Sequence, residues 1–135
     1  MPGAFLDSNI LIYAFSEDAR TDVADALLQT KPTLSVQSLN EFANVARRKL
    51  GFSWPEIREA IEHIEAMCPL ILPVDIDIHR QALRIVERYN FALFDSLIIA
   101  AALQADCDVL WSEDMHDGMV IDGRLRIANP FRNGS

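Results

Sequence analysis

Cysteine is scarce in this sequence: Cys68 and Cys107 are the only two. Two thiols make no disulfide framework, and such sparing use suits a reducing compartment, so a cytoplasmic location is expected. Glycine and proline are also few, at five and six residues, which excludes low-complexity disorder. The longest apolar run, 97–103, falls far short of the roughly 18 residues of a membrane span. No basic stretch precedes an apolar one near Met1, so no secretory leader is expected. Histidine is limited to His63, His79 and His116, none of them at zinc-ligand spacing. Positive charge is in the minority. Twelve Lys and Arg stand against twenty Asp and Glu, a net charge of −8. A module that coats nucleic acid by electrostatics alone is basic, which argues against that class. An enzyme whose acids hold divalent cations remains open, because bound ions reverse the local field.

The 135 residues, 50% hydrophobic and 24% charged, fit one domain over residues 1–135 with a core of its own. Short apolar segments alternate with longer periodic ones. The pattern predicts strands at 4–6, 33–36, 70–74, 109–111 and 124–128. It predicts helices over 9–15, 17–29, 39–50, 54–68, 76–89 and 93–105. Gly51 marks one helix stop, and Ser53-Trp54-Pro55-Glu56 is a capping box that starts the next. Leu39, Phe42, Ala46 and Leu50 form one apolar stripe, and Ile57, Ile61, Ile64 and Cys68 another. Such stripes suit a core or a groove for a partner helix. The helix over 93–105 is apolar nearly all round, which places it centrally. Alternating strands and helices imply right-handed crossovers and an α/β/α sandwich around a mostly parallel sheet. In open sheets of this type, ligands bind beyond the C-terminal strand ends.

Acids stand at such ends. Asp7 follows the strand Ala4-Phe5-Leu6, where packing asks for no carboxylate, although it can also cap the helix that follows. Asp95 opens the most apolar helix, where it serves either as a dipole partner or as a group facing the sheet edge. Asp114 lies in Ser112-Glu113-Asp114-Met115-His116-Asp117, after a strand; Asp117 is the second choice there, and Glu113 reads as a loop charge. Glu41 closes Ser38-Leu39-Asn40-Glu41, itself a capping box, so a purely structural job is open to it. Carboxylates brought together repel, and a divalent cation relieves the repulsion. Oxygen-only ligands favour Mg²⁺ or Mn²⁺ over zinc. A phosphotransferase of the haloacid-dehalogenase type wants an acid where Asn9 stands and a late lysine, but the lysines are only Lys31 and Lys49. Among the bases, Arg47-Arg48-Lys49 is a short cationic run. Arg80, Arg84 and Arg88 form a helical ridge that Asp77 and Glu87 are placed to neutralise. Arg124, Arg126 and Arg132 are further candidates for phosphate contacts.

Four segments then fall into a known order. Phe5-Leu6-Asp7-Ser8-Asn9-Ile10-Leu11-Ile12-Tyr13, Ser38-Leu39-Asn40-Glu41-Phe42, Phe94-Asp95-Ser96-Leu97-Ile98-Ile99-Ala100 and Trp111-Ser112-Glu113-Asp114-Met115 resemble, in sequence and spacing, the PIN-domain ribonucleases. More narrowly, the chain resembles the VapC-type toxins of bacterial toxin–antitoxin pairs. The resemblance implies a PIN-like α/β/α sandwich and an acidic cluster of Asp7, Glu41, Asp95 and Asp114 that binds Mg²⁺ or Mn²⁺ and hydrolyses RNA. It lifts Glu41 above its capping role. Ser112 matches the small hydroxyl residue beside the last acid, and Asn9 a polar position near the first. His116 and Asp117 lie where family members vary. The resemblance further implies an antitoxin partner and a homodimer. A non-catalytic protein-binding module on the same fold and a DNA-directed nuclease are the competing classes.

Overall fold

The computed structural model describes residues 3–132; Met1, Pro2 and 133–135, the ends of the expected domain, lie outside the described residues. Ala4–Leu6 is β1, followed by helices α1 (Ser8–Ala14) and α2 (Thr21–Gln29). Strand β2 (Leu34–Ser35) runs directly into α3 (Val36–Lys49), and α4 (Trp54–Met67) follows. After β3 (Ile71–Leu72) come α5 (Ile76–Tyr89) and α6 (Leu93–Gln104). Three strands close the chain: β4 (Val109–Trp111), β5 (Val120–Ile121) and β6 (Leu125–Ala128).

The main sheet has the order β1-β4-β6-β5, with β1, β4 and β6 parallel and β5 antiparallel at the edge. Strands β2 and β3 pair in parallel, and a bridge between Phe5 and Thr33 joins them to the free side of β1. Side chains alternate across β1. Phe5 points into a cluster with α5 and α6, while Leu6 points into a cluster with α1 to α4. The sheet is thus covered on both faces, the α/β/α sandwich that the alternating pattern implies. In α6 every residue from Ser96 to Leu103 is buried, as expected for a helix with no polar face.

Several boundaries move. The helix expected over 17–29 starts only at Thr21, because Asp18 and Arg20 fold into a local ion-paired turn. The strands expected at 33–36 and 70–74 shrink to two residues each; β2 gives way at once to α3, whose N-cap Ser35 accepts from the Ser38 N–H. Ser38 therefore does not cap this helix, and the capping box assigned to Ser38 and Glu41 is absent. The second box is present: Ser53 and Glu56 bond reciprocally at the head of α4. Strand β5 was not expected. It is two residues long and follows a turn through Gly118, too short for a period of two to register. Gly51, past the end of α3, takes φ 70°, the left-handed conformation that its place at a helix stop predicts.

Ile98 is fully buried in the α5/α6 cluster, whereas Leu83 on α5 is 44% exposed. Truncating Ile98 to Ala is expected to lower the unfolding free energy by about 2–5 kcal/mol. Leu83→Ala should change it by less than about 1 kcal/mol. Urea denaturation of both variants checks the contrast; equal losses would contradict the central placement of α6.

Candidate active site

Strands β1 and β4 are parallel neighbours with Leu6 opposite Trp111, so the residues leaving both strands emerge side by side. Asp7 continues the ladder by donating its N–H to the Trp111 carbonyl at 3.0 Å. Its carboxylate is 4% exposed. Oδ2 accepts from the Ser112 hydroxyl at 2.8 Å, and Oδ1 from the Ser8 N–H at 2.7 Å, capping α1. The capping reading of Asp7 therefore holds, at the point where β1 and β4 end side by side. Burial pushes its pKa up to about 7, against the lowering effect of those two bonds; the charges of Asp114 and Glu41 add to the rise.

Each other acid reaches this place by its own route. Ser38, released from capping, donates its hydroxyl to the Leu6 carbonyl at 3.3 Å and ties α3 to the end of β1. One turn on, Glu41 comes over the site, where Ser8 Oγ donates to one oxygen at 3.0 Å and Gln37 Nε2 to the other at 2.9 Å. Asp95 sits in the first turn of α6, whose N-cap is Ala92, so Asp95 is not the cap. Half-burial raises its pKa, and the nearby charges of Glu41 and Asp114 raise it further. Asp114 is exposed, and Asn9 Nδ2 donates to its Oδ1 as well as, at 3.5 Å, to Asp7 Oδ2. The four acids expected from sequence thus share one electrostatic neighbourhood. Among the described residues, no three His, Cys, Asp or Glu side chains are grouped tightly enough to hold one metal ion. The donor chemistry nevertheless suits a hard dication: the charges of Glu41 and Asp114 raise the pKa of Asp7 and of Asp95, and no thiol or imidazole is among them.

The loop bearing Asp114 is braced by residues that sequence patterns did not single out. Tyr13, one turn after Asn9 on α1, donates its hydroxyl to Glu113 Oε1. Arg20 pairs with Glu113 Oε2 at 2.7 Å and lies 4.1 Å over the Tyr13 ring. Phe131 meets that ring edge-on at 5.3 Å. Asn9 Oδ1 accepts from the Glu113 N–H at 3.4 Å, so one amide grips the loop at both ends. Glu113 is accordingly an internal anchor, not a solvated loop charge. Asp117, the second choice for a site acid, turns away: it accepts from the Asn129 N–H at 2.8 Å and faces Arg132 at 3.6 Å. His116 packs edge-on against Phe91. The one readable trace of the brace is the spacing of Asn9 and Tyr13, one helical turn apart.

Beyond the acids a cleft of about 910 Å³ opens, lined by Asn9, Tyr13, Glu41, Asp114, Arg48 and Lys49 among others. Of the basic run on α3, Arg47 is turned elsewhere, donating to the Phe52 carbonyl at 3.1 Å and covering Trp54. The ridge on α5 is ion-paired at two of its three arginines, with one change of partner. Arg80 meets Asp77 at 3.6 Å, but Arg84 meets Asp122 at 2.6 Å in place of Glu87.

A raised carboxylate pKa fixes the sign of one pH effect. The folded-state value for Asp7, about 7, lies above the ordinary carboxyl value of 3.8, so the native protein holds a proton that the unfolded chain releases. That stabilisation is complete below pH 4 and disappears as the pH climbs through 7. The displacement from 3.8 to about 7 corresponds to on the order of 4 kcal/mol. Asp7→Asn should therefore melt higher than the wild type at pH 8, with the gap closing as the pH falls to 4. A gap that stays constant across a calorimetric pH series would show that Asp7 ionises freely.

A toxin–antitoxin complex from Klebsiella pneumoniae matches the fold with a TM-score of 0.72 at 21% identity, covering 95% of this chain and 98% of that one. A DNA-bound VapBC complex from Salmonella typhimurium matches with 0.69 at 18% identity, over 96% and 99% of the two chains. A sarcin–ricin loop cleaving VapC toxin of Mycobacterium tuberculosis matches with 0.67 at 19% identity, over 79% and 86%. At these identities the likeness carries the fold. No curated protein matches the chain. The PIN domain family model matches residues 4–116, a span that includes all four acids, and the chain belongs to the PIN domain family.

Proposed function

We propose that this protein is a Mg²⁺- or Mn²⁺-dependent endoribonuclease that hydrolyses RNA phosphodiester bonds, as the toxin of a toxin–antitoxin pair. One observation carries the reading: burial raises the pKa of the Asp7 carboxylate at the end of a central strand, Asp114 and Glu41 from distant stretches of chain raise it further, and the same two acids act on Asp95. A fold gains nothing in stability from that arrangement. Membership of the PIN family and the likeness to VapC and VapBC structures support the same reading.

Asp7, Glu41, Asp95 and Asp114 are the residues that would hold the ion, and gathering them on it requires side-chain movement from the arrangement described. When bound, Mg²⁺ or Mn²⁺ supplies an acidified water and a positive charge against the phosphate. The chain's own part is positional. Ser112 and the Ser8 N–H fix both oxygens of Asp7, Ser8 and Gln37 fix both oxygens of Glu41, and Asn9 holds the Asp114 loop to α1. No side-chain nucleophile is required. An acidic cleft also attracts a basic segment of a partner protein, in keeping with an antitoxin. A homodimer and a cytoplasmic location complete the reading; among the described residues no helix is long and apolar enough to cross a membrane.

Purified protein with Mn²⁺ is expected to cut RNA and to spare DNA of the same sequence. Asp7→Asn should abolish cleavage. Ser112→Ala, which removes only a partner of Asp7, should lower it by about 10–100-fold. Equal cleavage by Asp7→Asn, or equal cleavage in EDTA, would remove the nuclease reading. Digestion of both polymers would make the enzyme a general nuclease. Sedimentation of the same sample as a monomer would remove the dimer.

A further inference from the structure

Arg48 and Lys49 belong to the short basic run of α3, but unlike Arg47 they line the cleft that holds Glu41 and Asp114. Arg48 is seven residues past Glu41 on one helix, about 10 Å along its axis, with Asn44 and Val45 lining the cleft between them. Five arginines outside the cleft are ion-paired within the protein. Arg20 pairs with Asp18 and Glu113, Arg80 with Asp77, Arg84 with Asp122, Arg124 with Asp106 and Arg132 with Asp117. Among the described residues, Arg48 and Lys49 take part in no ion pair, as is true also of Lys31, Arg47, Arg58, Arg88 and Arg126; of these, only Arg48 and Lys49 line the cleft. Both are exposed. Phe52, half-buried, lies on the same wall.

We infer that Arg48 and Lys49 form the phosphate-binding arm of the cleft, which holds the backbone of a single-stranded RNA beside the bond at the acids. This rests on the nuclease reading and adds the direction in which the strand lies. With the scissile phosphate at Asp7 and Asp114, the neighbouring phosphates follow α3 toward its C-terminal end. There two unpaired cations meet them and the Phe52 ring offers a surface for an unstacked base. A duplex carries its bases inward and presents none to that wall.

The test is binding of a fluorescein-labelled, mixed-sequence single-stranded RNA to the full chain in EDTA, read by anisotropy over a salt series, with cleavage in Mn²⁺ scored separately. Arg48→Gln and Lys49→Gln should each weaken binding about fivefold at 0.1 M salt and reduce the slope of log affinity against log salt by about 0.7. Arg47→Gln, in the same run but turned toward Phe52 and Trp54, should leave both unchanged. Equal losses in all three variants would reduce the arm to bulk charge and overturn it. So would unchanged slopes for Arg48→Gln and Lys49→Gln, or no binding by the wild type. Cleavage with unchanged slopes discards the arm and keeps the nuclease. Arm-dependent binding without cleavage discards the nuclease and keeps an RNA-binding cleft.

Discussion

A carboxylate buried at the end of a central strand sets the terms for everything around it. Asp7 has water on almost no side, and two close donors face it, the Ser112 hydroxyl and the Ser8 N–H, with Asn9 Nδ2 more distant at 3.5 Å. Two hydrogen bonds offset part of the cost of desolvating a charge but do not cancel it, which is why its pKa remains near 7. The neighbouring acids add to the cost. A site so arranged is unfavourable to the folded chain by itself and favourable once a compact positive charge enters. The stability of the rest of the sandwich has to carry it.

The sandwich can do so because the site lies at its rim and the apolar burial lies elsewhere. Phe5 and Leu6 send their side chains to opposite faces of the sheet, into two separate clusters, and the polar residues begin only where β1 ends. Parallel pairing with β4 makes Asp7 and Ser112 emerge together, and the short β2 turns straight into α3 beside them. The buried Ser38 links α3 to the Leu6 carbonyl. A hydroxyl that satisfies a strand-end carbonyl also sets the height of Glu41 above the strand. Position along the helix, backbone pairing and one side-chain bond together define where that acid can go.

What was legible in the sequence follows the range of the interactions involved. Periodicity and strand-end acids located β1, β4, α5 and α6 within a residue or so, because those signals are local and repeated. Asp7, Glu41, Asp95 and Asp114 were named in advance, and the structure sets them in one neighbourhood. The cap of α3 was misplaced by one helical turn, since Ser35 and Ser38 offer the same chemistry and only the strand before them decides between the two. Glu113 and Asp117 were indistinguishable loop acids from sequence. Their roles depend on Tyr13 and Arg20 at one end of the chain and Asn129 and Arg132 at the other. Nothing within a few residues of Glu113 announces a partner 100 positions away. Arg84 shows the same limit: a helical neighbour was available in Glu87, but the β5–β6 turn placed Asp122 closer.

A net charge of −8 does not by itself prevent local attraction of a polyanion, because charge acts over short distances in salt. The screening length at physiological ionic strength is about 8 Å. The exposed Glu59, Glu62 and Glu65 on α4 therefore do little to a strand lying along the cleft wall. What decides attraction is the sign of the few groups within that distance, and here it changes along the cleft. Carboxylates cluster at the strand ends; uncompensated cations stand two turns down α3. A phosphate is repelled at the first place unless a dication is there, and attracted at the second in any case. The acidic and basic parts of the cleft are thereby separated in space along a single helix, with Glu41 near one end and Arg48 near the other. A uniformly basic surface would show no such change of sign along its length.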